Sequence, residues 1–180
     1  MKTLDKVPYK EWLRRSPYIK LMGIKLLSSR NGKSVMCCPV RRALKNFSGI
    51  VHGGVMGALL DVSVSIAVCS VIPHGSRITT VEYNINLLKP ISDDEITAHG
   101  SVIRLGKTIA VGRAEIRNAE GELVAFGSAT FYIFNAGELP PEPNSSSVEL
   151  SSVRSFRRSD SPGIKSRAKW RKKAKLRQES

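Results

Sequence analysis

The segment Asn46-Phe-Ser-Gly-Ile-Val-His52-Gly53-Gly54-Val-Met-Gly-Ala-Leu-Leu-Asp61 sets an imidazole and a carboxylate nine positions apart, with two glycines directly after the histidine. An apolar run, Val62 to Ile72, follows, so Asp61 is the only charge in the twenty residues from Gly53 to Ile72. That stretch reads as a buried helix. A carboxylate without a partner there costs roughly several kcal/mol, and folds avoid the cost unless the group works. General-base or nucleophilic chemistry would be its work. Plainer readings exist for each residue. His52 could be a turn residue bonded to backbone, and Asn46 a loop or cap residue. Asp61 could be satisfied by Ser63, Ser65 or a partner chain. Gly53, Gly54 and Gly57 could serve only close approach.

The helix that would carry Asp61 is expected over Gly54 to Val71, stopping at Pro73-His74-Gly75. Before it, Trp12 to Leu21 suggests a short helix or turn broken at Pro17. Ile24 to Ser29 and Lys33 to Val40 flank Asn31-Gly32, the signature of a β-hairpin. Four strands should follow: Arg77 to Lys89, Glu95 to Leu105, Thr108 to Arg117 and Glu122 to Phe134. In the first, Val81, Tyr83, Ile85 and Leu87 alternate with Thr80, Glu82, Asn84 and Asn86. Short turns predict that the four pair as an antiparallel meander. A helix apolar nearly all round must be enclosed. The expected fold class is therefore α+β: a curved antiparallel sheet wrapped around one long central helix, the hotdog arrangement.

Of the net charge of +14, half falls from Pro140 onward, where eleven Lys/Arg face four Asp/Glu. Residues 1–136 are expected to form the domain. Residues 137–180 are expected to form a Pro/Ser-rich linker and a basic tail that stays unfolded until an acidic partner binds it. Trp170 among Lys169, Arg171, Lys172 and Lys173 fits an anionic surface: membrane, nucleic acid or acyl carrier protein. Cys37, Cys38 and Cys69 offer no disulfide framework and no C-x-x-C spacing, which fits a reducing cytoplasm. No secretory signal is expected, since Met1 to Pro8 has no apolar stretch. Gly53 to Ile72 has the length of a membrane span, but Asp61 would lie near mid-bilayer and the flanks lack anchoring residues.

From about Pro17 to Phe134 the chain resembles the PaaI-like hotdog acyl-CoA thioesterases. The resemblance rests on Asn46…His52-Gly53-Gly54…Asp61, on Thr80-Val-Glu-Tyr-Asn-Ile-Asn-Leu-Leu-Lys-Pro90, on Arg104-Leu-Gly106-Lys107 and on Gly121-Glu-Leu-Val-Ala-Phe. It implies hydrolysis of an acyl-CoA, medium-chain or aromatic, to free acid and CoA, with no cofactor and no metal. By the same resemblance the Gly53 backbone N–H is the oxyanion donor. Asn46 assists at the carbonyl or orients water, and His52 positions or polarises the thioester. Asp61 is the general base or the nucleophile. Thr80, with Thr79 as fallback, bonds the water, and Glu82 is a structural acid. Lys89, Arg104 and Lys107 are the candidates for the coenzyme phosphates. Because Asp61 lies about 12 Å along the helix from Gly53, the resemblance implies sites shared across a homodimer, alone or within a dimer of dimers. Two other functions stand beside hydrolysis: dehydration of hydroxyacyl thioesters, and a non-catalytic hotdog module whose tail engages membrane or nucleic acid.

Overall fold

A computed structural model describes residues 8–92 and 94–134; the expected linker and basic tail lie outside the described residues. Two short helices come first, α1 (Pro8–Arg15) and α2 (Pro17–Met22). They divide at Ser16, whose side chain accepts the Ile19 N–H, while Pro17 takes the first helical position, where a missing N–H costs nothing. The hairpin follows as β1 (Lys25–Arg30) and β2 (Lys33–Pro39), with Asn31 at φ 51° and Gly32 at φ 74° forming the tight turn. A 3₁₀ turn (Arg42–Leu44) leads to the long helix α3 (Gly53–Cys69). The remaining strands are β3 (Arg77–Leu87), β4 (Glu95–Leu105), β5 (Ile109–Arg117) and β6 (Leu123–Phe134).

All six strands form one antiparallel sheet in the order β1-β2-β4-β5-β6-β3. The expected four-strand meander is thus corrected. Only β4-β5-β6 is a meander, and β3 crosses to the far edge, beside β6. The connection Leu88–Asp94 is too long for a hairpin and contains Pro90. Both Leu88 and Lys89 give their N–H to Val124 O, which commits the end of β3 to β6. α3 contacts every strand and lies in the concave face of the sheet. Its residues Leu59, Leu60, Val64, Ile66 and Val68 are wholly buried against Ile96, Ile116, Val124 and Phe131. This is the hotdog arrangement of one helix held in a curled sheet.

Small side chains let the helix sit that deep. Ala98 and Gly100, Ala110, Gly112 and Ala114, and Ala125, Gly127 and Ala129 line the buried face of β4, β5 and β6. A methyl at Gly100 would lie 2.7 Å from the Ser63 carbonyl oxygen, closer than real contacts allow. At the same crossing the Ser34 hydroxyl donates to Ser63 O at 2.7 Å and lies 3.0 Å from Ser63 Oγ, which ties β2 to the helix.

One irregularity in β3 overturns an expected face. Strict alternation puts Thr80 with Glu82 and Asn84. Instead a bulge between Thr80 and Glu82 leaves Val81 without a register partner on β6. Thr80 then faces buried Phe131, while Glu82 faces Thr130 and donors on the outer side. The extra residue turns Thr80 onto the same concave face as Tyr83 and Leu87.

Candidate active site

His52 sets where α3 begins. Its backbone is extended (φ −65°, ψ 133°), its Nδ1 accepts the Gly54 N–H at 3.3 Å, and its carbonyl accepts the Val55 N–H at 2.9 Å. The first N–H groups of any helix lack intrahelical acceptors. Here the cap engages those of Gly54 and Val55, and among the described residues the Gly53 N–H has no acceptor. Because Nδ1 accepts, the neutral ring carries its proton on Nε2, a second donor at the same helix end. The partial positive charge of the helix N-terminus adds to both.

The loop before α3 is held by its own hydrogen bonds. Asn46 Oδ1 accepts the N–H groups of Ser48 (2.9 Å) and Ile50 (3.2 Å), and Asn46 N–H donates to Ile50 O (2.8 Å). Gly49, at φ 78°, closes the turn. His52 N–H then reaches back to Leu44 O at 2.9 Å. The loop reading of Asn46 and the polar-group reading are therefore compatible. Its oxygen fixes the turn and its amide nitrogen keeps its donors.

Asp61 sits eight residues further along α3, half-buried. Burial pushes its carboxyl above the usual carboxylate range, and a hydrogen bond from the Thr80 hydroxyl, at 2.9 Å, works in the opposite direction. Ser63 and Ser65 do not serve it. Ser63 Oγ meets Ser34, and Ser65 Oγ donates to Val62 O at 2.8 Å. Thr79, the fallback, pairs with Tyr132 on the outer face and is not in contact with the carboxylate.

β3 runs along the helix and links the two groups. Thr80 touches Asp61. A methyl added at Gly57 would lie 3.4 Å from the Tyr83 ring, and one at Gly53 2.9 Å from Leu87 Cδ1. Within one chain His52 and Gly53 stand at the start of α3, Asn46 is turned to Ser48 and Ile50 in the loop before it, and Asp61 with Thr80 lies about 12 Å further along by the helical rise. Leu87 was not singled out by sequence reasoning. Its signal was there, since it shares an alternating face with Tyr83.

The three cations expected at the phosphates do not cluster in one protomer. Lys89 lies just past the end of β3 that meets Gly53, where its ammonium pairs with Glu122 at 3.0 Å. Both side chains are about half exposed, so the pair is weak and exchangeable. Arg104 and Lys107 lie at the opposite end, around the β4–β5 turn. Glu82 accepts from Thr130 Oγ1 at 3.0 Å on the outer face, consistent with a structural acid. None of the cysteines is set up as a thiolate. Burial pushes the Cys69 thiol up to about 12, Cys38 to about 11 and Cys37 upward as well. Among the described residues no group of His, Cys, Asp and Glu could hold a metal, and no helix is long and apolar enough to cross a membrane.

The sequence model of the thioesterase superfamily matches residues 48–125, which include the helix cap, Asp61, Thr80 and most of the sheet. A solved structure of a conserved protein from Pseudomonas aeruginosa superposes with a TM-score of 0.64 at 30% identity, covering 66% of this chain and 94% of that one. The chain belongs to the thioesterase superfamily. A thioesterase family protein from Silicibacter pomeroyi superposes with a TM-score of 0.67 at 25% identity, over 69% of this chain and 94% of its own. The medium/long-chain acyl-CoA thioesterase YigI of Escherichia coli is 31% identical over 98 residues, or 47% of this chain and 63% of YigI.

Proposed function

We propose that this protein hydrolyses acyl-CoA thioesters to the free acid and CoA, at sites shared between the two chains of a homodimer. The observation that carries the proposal lies on β3. Leu87 packs beside Gly53, where a Cβ would otherwise lie, Thr80 is hydrogen-bonded to Asp61, and β3 is an edge strand whose far side has no partner among the described residues. Exposed Val81, Tyr83, Leu87 and Leu88 make that edge apolar, which isolated proteins avoid. If two copies pair antiparallel along β3 about Asn84, the Leu87 end of one comes beside the Thr80 end of the other. One protomer's Gly53 N–H then meets the partner's Asp61. A two-fold axis makes the site twice, and it closes.

In that site the thioester carbonyl oxygen accepts the Gly53 N–H, with the Asn46 amide and His52 Nε2–H as further donors. These stabilise the negative charge that develops as the carbonyl carbon becomes tetrahedral. The partner's Asp61 either removes a proton from water as the water oxygen attacks, or attacks the carbonyl itself to give an anhydride that water opens. In both routes the carbon–sulfur bond breaks and the CoA sulfur leaves as thiolate, taking up a proton afterwards. Thr80 holds the carboxylate in place. Lys89 of one protomer, and Arg104 and Lys107, act on the coenzyme phosphates, with Lys89 exchanging its Glu122 pairing for phosphate. Nothing in the chemistry calls for a cofactor.

The test is hydrolysis of an acyl-CoA panel, short to long and aromatic, by the wild type and by Asp61→Asn. Turnover by the wild type and a loss of about 10²- to 10⁴-fold in the variant is the expected result. Equal rates in the two proteins, or an inert wild type, would remove the proposal.

A further inference from the structure

An open cavity of about 290 Å³ lies at the start of α3, on the flank turned away from Leu87. α2 and the 3₁₀ turn build half of its wall, and the cap and first turn of α3 most of the rest. Met22, Leu44 and Val55 are buried and apolar, Tyr18 and Ala43 stand at the exposed rim, and the cap residue His52 opens onto it. Lys45 also borders it, but its ammonium is held by Ser92 O at 2.7 Å and stays out of an apolar guest's way. Gly54 lies in the same wall, next to Gly53, so the cavity opens beside the helix end that carries the proposed oxyanion donor.

We infer that this cavity receives the acyl chain of the thioester and that α2 and the 3₁₀ turn set its length. The inference rests on the thioesterase reading given above. A methylene fills roughly the share of volume a liquid water does, ~30 Å³, so the open space of about 290 Å³ admits at most about ten carbons. That corresponds to a medium straight chain, with Tyr18 and Ala43 forming the boundary beyond which further methylenes meet solvent. Met22 suits the role, since an unbranched thioether side chain moulds to chains of different length. Of the buried apolar residues in the first turns of α3, Val55 lines this cavity, while Met56 and Leu59 are sealed in the core.

Ala43→Trp fills the cavity from an exposed position without disturbing the core or the proposed catalytic groups. Each buried methylene is worth about fourfold in binding. Losing room for two or three should lower kcat/KM for decanoyl-CoA by roughly 15- to 60-fold and leave butyryl-CoA within about twofold. Tyr18→Ala, which lengthens the cavity, should move the optimum to longer chains. An unchanged chain-length profile in both variants would overturn the inference. So would an equal loss on butyryl- and decanoyl-CoA, which marks a contact to the coenzyme. A wild type that hydrolyses no acyl-CoA would instead remove the thioesterase reading itself, and the two failures are therefore distinct.

Discussion

Thr80→Val isolates the one side-chain hydrogen bond to Asp61 among the described residues. Valine matches threonine in shape and suits a strand, so the bulge and the β3–β6 pairing should survive, with a stability loss at neutral pH no larger than about 1.5 kcal/mol, the low end for the hydrogen bond removed. What disappears is a hydroxyl donor 2.9 Å from Oδ1. That bond favours the ionised carboxylate and offsets part of the rise caused by burial. Without it the carboxylate must ionise at higher pH. A hydrogen bond to a charged group contributes about 1.5–3 kcal/mol, and the exposure of Thr80 argues for the low end. About 1.4 kcal/mol is tenfold, so kcat/KM near the acid limb should fall about tenfold. The limb itself should move to higher pH, and the deficit should shrink as pH rises beyond it. The assay is thiol release from an acyl-CoA followed between pH 5 and pH 9, with Thr79→Val as the control on the outer face. A limb that stays in place or moves to lower pH would refute the assignment of Thr80 to Asp61. So would an equal effect from Thr79→Val.

Asp61→Asn should stabilise the folded protein at neutral pH. Burial raises the carboxyl in the folded state, so the folded protein holds its proton more tightly and stability falls as pH rises above the unfolded value of 3.8. The gain of the variant in thermal melts should therefore vanish below about pH 4; a variant less stable than wild type at pH 7 would contradict this. Gly100→Ala forces a methyl against Ser63 O and should cost about 2–4 kcal/mol in denaturant unfolding. Unfolding at the wild-type midpoint would show that the helix has room to rise. Tyr83→Lys puts a charge on the apolar edge of β3 and should yield monomers without thioesterase activity, as judged by light scattering and thiol release. An active monomer would exclude a shared site.

Much of the architecture was legible because periodicity survives in single elements. The charge-free run after Asp61 marked α3, Asn31-Gly32 marked the hairpin, and β4 was read from Glu95 to Leu105 as observed. The sheet order was not legible. Nothing local in Leu88–Asp94 says whether β3 returns beside β4 or crosses to β6, because the choice is made by Val124 O on a strand far along the chain. The bulge at Val81 was hidden for a similar reason. An extra residue in a strand leaves alternation intact on both sides of it and reverses only their relation, which moved Thr80 from the expected outer face to Asp61. The stripe of Ala and Gly at every second position of β4, β5 and β6 was readable as a close helix–sheet approach but shows no apolar bulk to draw attention. At the site, the residue types around His52 and Asp61 pointed to thioester chemistry through family resemblance. Their separation along α3 follows from helical rise alone. The pairing of Lys89 with Glu122, and the distance of Lys89 from Arg104 and Lys107, depend on which ends of the strands meet, and that is a property of topology.

A heterodimer complements most directly. Gly53→Pro deletes the proposed oxyanion donor and suits both the first helical position and the extended backbone of His52 (ψ 133°), with the flexible tip of Leu87 shifting to admit the ring. Asp61→Asn deletes the proposed base. Each homodimer should be inactive. In a tagged heterodimer of the two variants, one site regains both wild-type groups, one from each chain. A shared site predicts about half the wild-type activity per dimer. A dead heterodimer, formed and folded, would contradict it.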